Sequence, residues 1–309
     1  MSRIEIGPSE IRRANWYGLK SAVAKILGSR PLNPAVQLAG RALLPRSAAS
    51  RLPLNKRSVR YRLDDGGFVE LLEPLHDMVA RDIHWGGGKA ASRAEGHKLE
   101  CLERLSKSAD LFIDIGAYAG FCALIAARSN PRLKAIAYEI VAENYLLMVR
   151  NVIHNDLVDR IEPRLRGLGA KRGTITLPKT FGAASYQSSI SLGSNFRTGV
   201  SIPVVPLDEE IIPDSQRILI KMDVEGFEDQ IFEGAQRLIR ACRPDIICEV
   251  LPGTEECART ISGILSPLGY KWFCFEDQGV VPRDRLEPGA MMRDWLFTIN
   301  PSHAAVLRK

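Results

Sequence analysis

From residue 110 onward the chain repeats one unit, a short apolar run followed by a stretch with helical spacing. "LFIDIGA", "LKAIAYEI", "RILIKMD" and "DIICEV" read as strands, and "RIEPRLRGLGA" contains another. "FCALIAARS", "AENYLLMVRNVIHN", "FEDQIFEGAQRLIRA" and "TEECARTISGILSPLG" place apolar residues three and four apart and read as helices. Strands joined through helices cannot pair as hairpins, so the alternation confines the fold to an α/β class with a mainly parallel sheet and helices on both faces. "YKWFCFE" and "DWLFTIN" close the sheet and include an antiparallel strand. A ligand is to be sought at the carboxyl ends of the strands.

With 309 residues there is chain enough for one sizeable core and an extension. Residues 58–109 form a cap segment, with two short strands around the Asp-Gly-Gly turn of "SVRYRLDDGGFVELL" and helices at "DMVARDI" and "RAEGHKLECLERLSKS". The core covers 110–300, and 58–309 is taken as one domain. Residues 1–57 are an extension rich in turn formers, in which "WYGLKSAVAKIL" has the spacing of an amphipathic helix. Between the third and fourth core strands lies an insertion, Gly173 to Asp208, expected to hold strands and a mobile loop near the site.

Charge is unevenly spread. Residues 1–60 hold twelve Lys/Arg and two Asp/Glu, a balance of +10, and the other 249 hold thirty against thirty-four, or −4. The body lacks a basic footprint, so no nucleic-acid partner is expected. The extension reads either as a segment packed on the main domain or as a surface for an anionic membrane or acidic partner. No run reaches the ~20 apolar residues of a membrane span, and no secretory signal is evident. Six scattered cysteines without a C-x-x-C pair and five dispersed histidines argue for a reducing, cytoplasmic compartment and against a dedicated metal site.

"FIDIGAYAGF" sets Asp114 at the end of a buried strand, Gly116 and Gly120 in the turn, and a helix start beyond. The next strand ends on Glu139, where an acid can accept ribose hydroxyls. A dinucleotide fold would show G-x-G-x-x-G, whereas the order here is D-x-G-x-x-x-G. The missing glycine is the one a pyrophosphate approaches, and Asp114 suits an ammonium better than a phosphate. A ligand with a ribose, an amino-acid end and no pyrophosphate matches S-adenosylmethionine. The same glycines also serve tight strand–helix packing.

These segments, with "YEIVAENYLLMVRNVIHND", "VVPLDEEI", "ILIKMDVEGFEDQIFEGAQRLI" and "RPDIICEV", resemble the FkbM-type methyltransferases, a class I Rossmann-like group that uses S-adenosylmethionine. The resemblance spans roughly residues 60–300, with K-x-D-V-E-G its most specific element. It implies that Asp114, Gly116, Ala117 and Gly120 line the methionine end and that Glu139, helped by Asn144, holds the ribose. It sets Leu168, within Gly167–Gly169, beside the adenine. Two departures stand out: Tyr118 where the family usually has Asn, and Ile140 where it has Pro. The acceptors the resemblance implies are hydroxyls of sugars or small natural products.

The fourth strand runs into Asp223, Glu225, Glu228 and Asp229. Asp223 is the first candidate for a base or substrate-orienting group and Glu225 the second, with Lys221 on the same strand face as Asp223. Glu228 and Asp229 suit the first turn of a helix. Glu249 ends the following strand and either binds substrate hydroxyls, joins Asp223 around a divalent ion, or makes a structural hydrogen bond. His84, Trp85 and His97 are candidates for a substrate wall, although a structural role suits lone histidines equally. Two other readings stay open: a nicotinamide-dependent oxidoreductase, and a binding module that keeps the cofactor fold without turnover.

Overall fold

The central strands are almost wholly apolar because the sheet is covered on both faces, Asp114 in one and Lys221 in another being the exceptions. In the structure, a computed structural model describing residues 26–29, 31–44, 52–75, 77–177, 199–212, 217–289 and 293–305, every residue of Leu111–Ile115 and of Ile218–Met222 is buried. In chain order the elements are α1 (Asn33–Leu43), β1 (Ser58–Arg62), β2 (Phe68–Leu72), α2 (Met78–Trp85), α3 (Arg93–Ser106), β3 (Leu111–Ile115), α4 (Phe121–Ser129), β4 (Lys134–Glu139) and α5 (Ala142–His154). There follow β5 (Ile161–Leu165), β6 (Gly167–Leu168), β7 (Gly173–Leu177), β8 (Val200–Val205), α6 (Leu207–Glu210), β9 (Ile218–Met222), α7 (Glu228–Glu233) and α8 (Gln236–Cys242). The last are β10 (Asp245–Glu249), α9 (Glu255–Leu265), β11 (Lys271–Glu276), β12 (Gly279–Arg283), β13 (Asp294–Thr298) and α10 (Ser302–Ala305).

The main sheet has the order β12-β11-β13-β10-β9-β3-β4-β5. β10, β9, β3, β4 and β5 are parallel to one another, and β13 runs antiparallel between β10 and β11. This is the expected Rossmann-like α/β sheet with an antiparallel closing strand. β12, an antiparallel edge strand beside β11, was not anticipated. Its sequence, "GVVPR", contains a proline, which is tolerated only at an edge. From β3 the chain winds outward through β4 and β5, then returns to lay β9 on the other side of β3. The crevice opens at that reversal, at the carboxyl ends of β3 and β9.

Side chains alternate across the sheet. Phe112 and Leu219 enter one core with Leu99, Leu102, Leu124 and Val152 from α3, α4 and α5. Ile113 and Ile220 enter the other, with Phe232, Leu238 and Ile261 from α7, α8 and α9. The single helix expected over "FEDQIFEGAQRLIRA" is instead two, α7 and α8. Gly234 lies at the break, pressed so tightly on Gly169 that a Cβ would stand 2.1 Å from its carbonyl oxygen. The insertion supplies β7 and β8, which join β6 in a three-stranded sheet ordered β6-β8-β7. The loop expected between them, 178–198, lies outside the described residues, as does "WYGLKSAVAKIL" up to residue 25.

The cap is fastened by side-chain amides. Asn151 of α5 accepts from Leu72 N at 2.9 Å and donates to Ala119 O at 2.9 Å, tying the β1–β2 hairpin to the glycine turn. Asn155 repeats the device on Glu70 N, at 2.9 Å. Part of the segment before residue 58 is fastened too: Asn33 donates to Pro53 O at 2.8 Å and accepts from Asn55 N at 3.0 Å. Leu54 has no exposed surface and sits in the core beside the cap. Among the described residues no helix is long and apolar enough to cross a membrane. Leu54→Ala should lower stability by about 2–5 kcal/mol, the cost of a core leucine truncation. A urea unfolding curve with an unchanged midpoint would show that residues 52–57 do not belong to the cooperative core.

Candidate active site

At the carboxyl ends of β3, β4 and β9 the sheet opens into a cavity of about 200 Å³. Its floor begins at Gly116, whose φ of +73° suits glycine. A Cβ on Gly116 would also meet the carbonyl oxygen of Asp223 at 1.8 Å, so the ends of β3 and β9 touch backbone to backbone there. The parallel register that aligns Ile115 with Met222 carries that contact forward, and Asp223 N donates to Ile115 O at 3.0 Å.

Lys221 joins these strand ends. Its Nζ donates to Gly116 O at 3.1 Å and lies 3.8 Å from Asp114 Oδ1 and 3.5 Å from Asp223 Oδ2. Burial works against its charge, but Asp223 and Asp114 together raise its pKa. Asp114 is fully buried behind the cavity wall, where its Oδ2 accepts from Ala123 N at 3.1 Å. Burial pushes its carboxyl up to about 6, against the pull of Lys221 and the Ala123 N–H. Asp114 therefore stands behind the turn and does not line the cavity. Gly120 is also set back, with φ +81° and Met148 Cγ where a Cβ would stand, at 2.8 Å. Gly116 and Ala117 do line it.

Glu139, at the end of β4, faces the same cavity and is gripped by backbone N–H groups. Oε2 accepts from Tyr118 N at 2.7 Å, and Oε1 accepts from Ile140 N at 2.8 Å and Val141 N at 2.7 Å. A carboxylate has about four acceptor positions. Three are taken, which leaves room for one hydroxyl donor on Oε2, fewer than the pair expected. Burial pushes Glu139 up to about 7, against these three N–H donors. Asn144 and Leu168 line the cavity on that side, with Ile140 and Val141.

On the far side stands Asp223, its side chain 34% exposed. Burial opposes its charge, but Lys221 and then Lys98 outweigh it and hold the carboxyl below its ordinary value. Glu249, at the end of β10, is pushed up to about 8 by burial, by the Asp223 charge and by a hydrogen bond with Asp223. Arg293 Nη2 reaches Glu249 Oε1 at 2.8 Å. Glu225 adds a third carboxyl, raised by burial and by Asp223. Asp223, Glu225 and Glu249 bring one ligand atom each within 4.8 Å of one another, a grouping open to a divalent ion. Lys221 and Arg293 already neutralise two of them, so the cluster alone assigns no metal.

The loop between β9 and α7 is strained. Glu225 has φ +59°, a conformation costing a non-glycine residue about 1–3 kcal/mol, and Gly226 has φ +95°. Glu228 enforces this shape, its Oε1 accepting from Val224 N at 3.2 Å and Gly226 N at 3.1 Å. Glu228 lies in the first turn of α7 as expected, but it is fully buried and holds the loop from beneath. Asp229 shares that first turn.

The cap supplies residues the sequence did not single out. Met78 and Val79 of α2 and Glu95 and Lys98 of α3 line the cavity. Lys98 Nζ pairs with Glu95 Oε2 at 2.7 Å and with Asp294 Oδ1 at 2.9 Å. Asp294 is the β13 residue in register with Glu249. The Glu95–Lys98 spacing of three was a readable signal; the partner 196 residues away was not. His84, Trp85 and His97 do not line the cavity. His84 and Trp85 pack edge to face, Trp85 stands against Gly40 of α1, and His97 faces Glu100 at 3.6 Å.

The family model described as the methyltransferase FkbM domain matches residues 114–271, just over half of the chain and the whole span from Asp114 to Glu249. The chain belongs to the FkbM methyltransferase family. Among solved structures it is similar to the FkbM methyltransferase of Methylobacillus flagellatus KT, with 20% identity and a TM-score of 0.41 over 62% of this chain and 44% of that one. It thus spans less than half the length of that protein. It is also similar to a precorrin-6y C5,15-methyltransferase from Geobacter metallireducens GS-15, with 11% identity, a TM-score of 0.37, and 66% and 87% of the two chains covered. An rRNA methylase from Streptococcus thermophilus matches at 8% identity and a TM-score of 0.39, over 65% and 92%. No curated protein matches the chain.

Within this FkbM domain, Tyr118 has φ +52°. Asparagine tolerates that region better, so the departure at 118 falls where the family's usual residue would be least strained. Lys221→Met should lower stability by about 3–5 kcal/mol at neutral pH, because it leaves a buried carboxylate without its cation. Burial already makes the folded chain hold the Asp114 proton more tightly than the unfolded chain does, so stability declines as pH rises through about 6. Without Lys221 that decline steepens and extends to higher pH, and the deficit shrinks toward pH ~5, where Asp114 is neutral in the folded chain. A deficit independent of pH in urea unfolding would mean that Lys221 acts by packing alone.

Proposed function

We propose that the protein transfers a methyl group from S-adenosylmethionine to a hydroxyl of a small molecule or sugar. The observation that carries this is the facing pair of carboxylates across one cavity, Glu139 on the cofactor side and Asp223 on the acceptor side, with the Gly116 turn between them. The lining fits the cofactor. Glu139 keeps an acceptor position for a ribose hydroxyl, Leu168, Ile140 and Val141 offer an apolar bed for a base, and the acids suit a cationic ligand. When bound, S-adenosylmethionine supplies a methyl carbon on a positively charged sulfur.

The chain's own part is positioning and proton acceptance. Gly116 and Ala117 set the floor, and Glu139 fixes one end of the ligand through a carboxylate that its N–H donors prevent from turning. Lys221 and Lys98 favour the charged form of Asp223 against its burial, while burial and the Asp223 charge raise the proton affinity of Glu249. An acceptor hydroxyl placed against Asp223 would give up its proton to that carboxylate. Lys221 keeps Asp223 charged until then, and Glu225 and Glu249 remain to orient further hydroxyls of the acceptor.

Calorimetric titration with S-adenosylhomocysteine should show binding that Glu139→Gln weakens, and NAD should give no heat. A hydroxyl donates to the ionised form of Glu139, so affinity should rise with pH through about 7 and then level off, and Glu139→Gln should flatten that rise. Binding of NAD instead would replace this reading with the oxidoreductase one. With a labelled methyl donor and a panel of hydroxylated acceptors, Asp223→Asn should lower turnover by roughly 10²–10⁴-fold while leaving S-adenosylhomocysteine affinity within a few-fold. Cofactor binding without turnover on any acceptor would indicate a binding module.

A further inference from the structure

An amphipathic helix on a globular protein normally turns its apolar side inward. α1 does the opposite. Asn33 and Gly40 are buried, Asn33 in the hydrogen bonds to Pro53 and Asn55 and Gly40 against Leu52 and Trp85. On the other side Ala35, Leu38, Ala39, Ala42 and Leu43 are exposed, Leu38 at 72% and Leu43 at 77%. Leu32, Leu44 and Ile26, also exposed, extend that surface at both ends of the helix. The inward side is small and polar because it must seat closely on Trp85; nothing in that packing calls for leucines outside.

In the sequence, residues 11–63 contain twelve Lys/Arg and no Asp/Glu. Asn55 donates to Gly28 O at 2.6 Å, which brings the exposed Lys56 and Arg57 to the start of α1. Exposed leucines near the exposed cations Lys56 and Arg57 match a surface with an apolar interior and anionic headgroups. We propose that α1 and the adjoining basic residues dock this protein on an anionic lipid bilayer. α1 rests on Trp85, the last residue of α2, and the first residue of α2, Met78, lines the cavity and is 53% exposed. An eight-residue helix spans about 12 Å, so α1 and the cavity lining stand at opposite ends of one short helix. The inference needs no particular chemistry in the cavity, and it is tested without cofactor or turnover.

The full chain is sedimented with vesicles of phosphatidylcholine alone or mixed with phosphatidylglycerol. Binding is expected only to the anionic vesicles and should weaken several-fold near ~0.5 M NaCl, where headgroup attraction is screened. Leu38→Asp/Leu43→Asp should reduce it by at least about tenfold, and Lys56→Glu/Arg57→Glu by several-fold. All four side chains are exposed, so both variants should melt at the wild-type temperature. Should a double variant misfold, Leu38→Gln alone carries the test, with a smaller loss of the same sign. Wild type that leaves the anionic vesicles unbound, or leucine variants that bind them as well as wild type does, would overturn the proposal. So would a wild-type dimer that becomes monomeric in the leucine variant, which would assign this face to a second copy. Retention on RNA without vesicle binding would instead assign the cations to a nucleic acid.

Discussion

The Lys221 ammonium holds the site together. β3 and β9 are parallel neighbours whose hydrogen bonding ends where the cavity begins, and beyond that point two loops must stay in register without a sheet between them. Lys221 crosses the gap to Gly116 O at 3.1 Å and stands between Asp114 behind the wall and Asp223 in front of it. A buried cation with a single carboxylate would be a poor stabiliser, since desolvation consumes most of the attraction. Here one cation serves two acids and a carbonyl, so its position is over-determined. Gly116 makes the approach possible, because any side chain there would displace the Asp223 carbonyl.

Around that clamp the two sides of the cavity are built on different physics. The Glu139 side is made of backbone: three N–H groups converge on one carboxylate, which cannot rotate and keeps a single acceptor position facing outward. The Asp223 side is made of charge, with carboxyls from the loop after β9 and from the end of β10 set among Lys221, Lys98 and Arg293. Crowding the acids separates their affinities for protons, lowering that of Asp223 and raising that of Glu249. Glu228 holds the strained turn at Glu225 from beneath, using the buried start of α7 as its anchor.

The cap is more than a cover. Asn151 joins the β1–β2 hairpin to Ala119 of the glycine turn, and Lys98 joins α3 to the start of β13. A change in how the cap sits is therefore felt at both ends of the cavity. α1 extends this chain of contacts outward through Trp85, so its exposed apolar face lies one helix away from the cavity lining.

The alternation of apolar runs and helical spacing determined the parallel sheet, its antiparallel closure and the strand ends on which Asp114, Gly116, Glu139, Lys221 and Asp223 fall. That was legible because a strand covered on both faces can contain little but apolar residues, so a carboxylate just past one marks an edge. Which of those residues face the cavity was not legible. Asp114 and Gly120 sit in the motif like Gly116 and Ala117, yet Asp114 is buried within β3 beside Ala123 N and Gly120 is pressed on Met148. The break at Gly234 depends on Gly169, sixty-five positions earlier in the numbering, and Lys98 acquires its place only through Asp294. Residues near in sequence reveal period and propensity, which decide the elements. The cavity's charge balance and the outward apolar face of α1 depend on contacts between residues distant in sequence, and only the tertiary structure decides those.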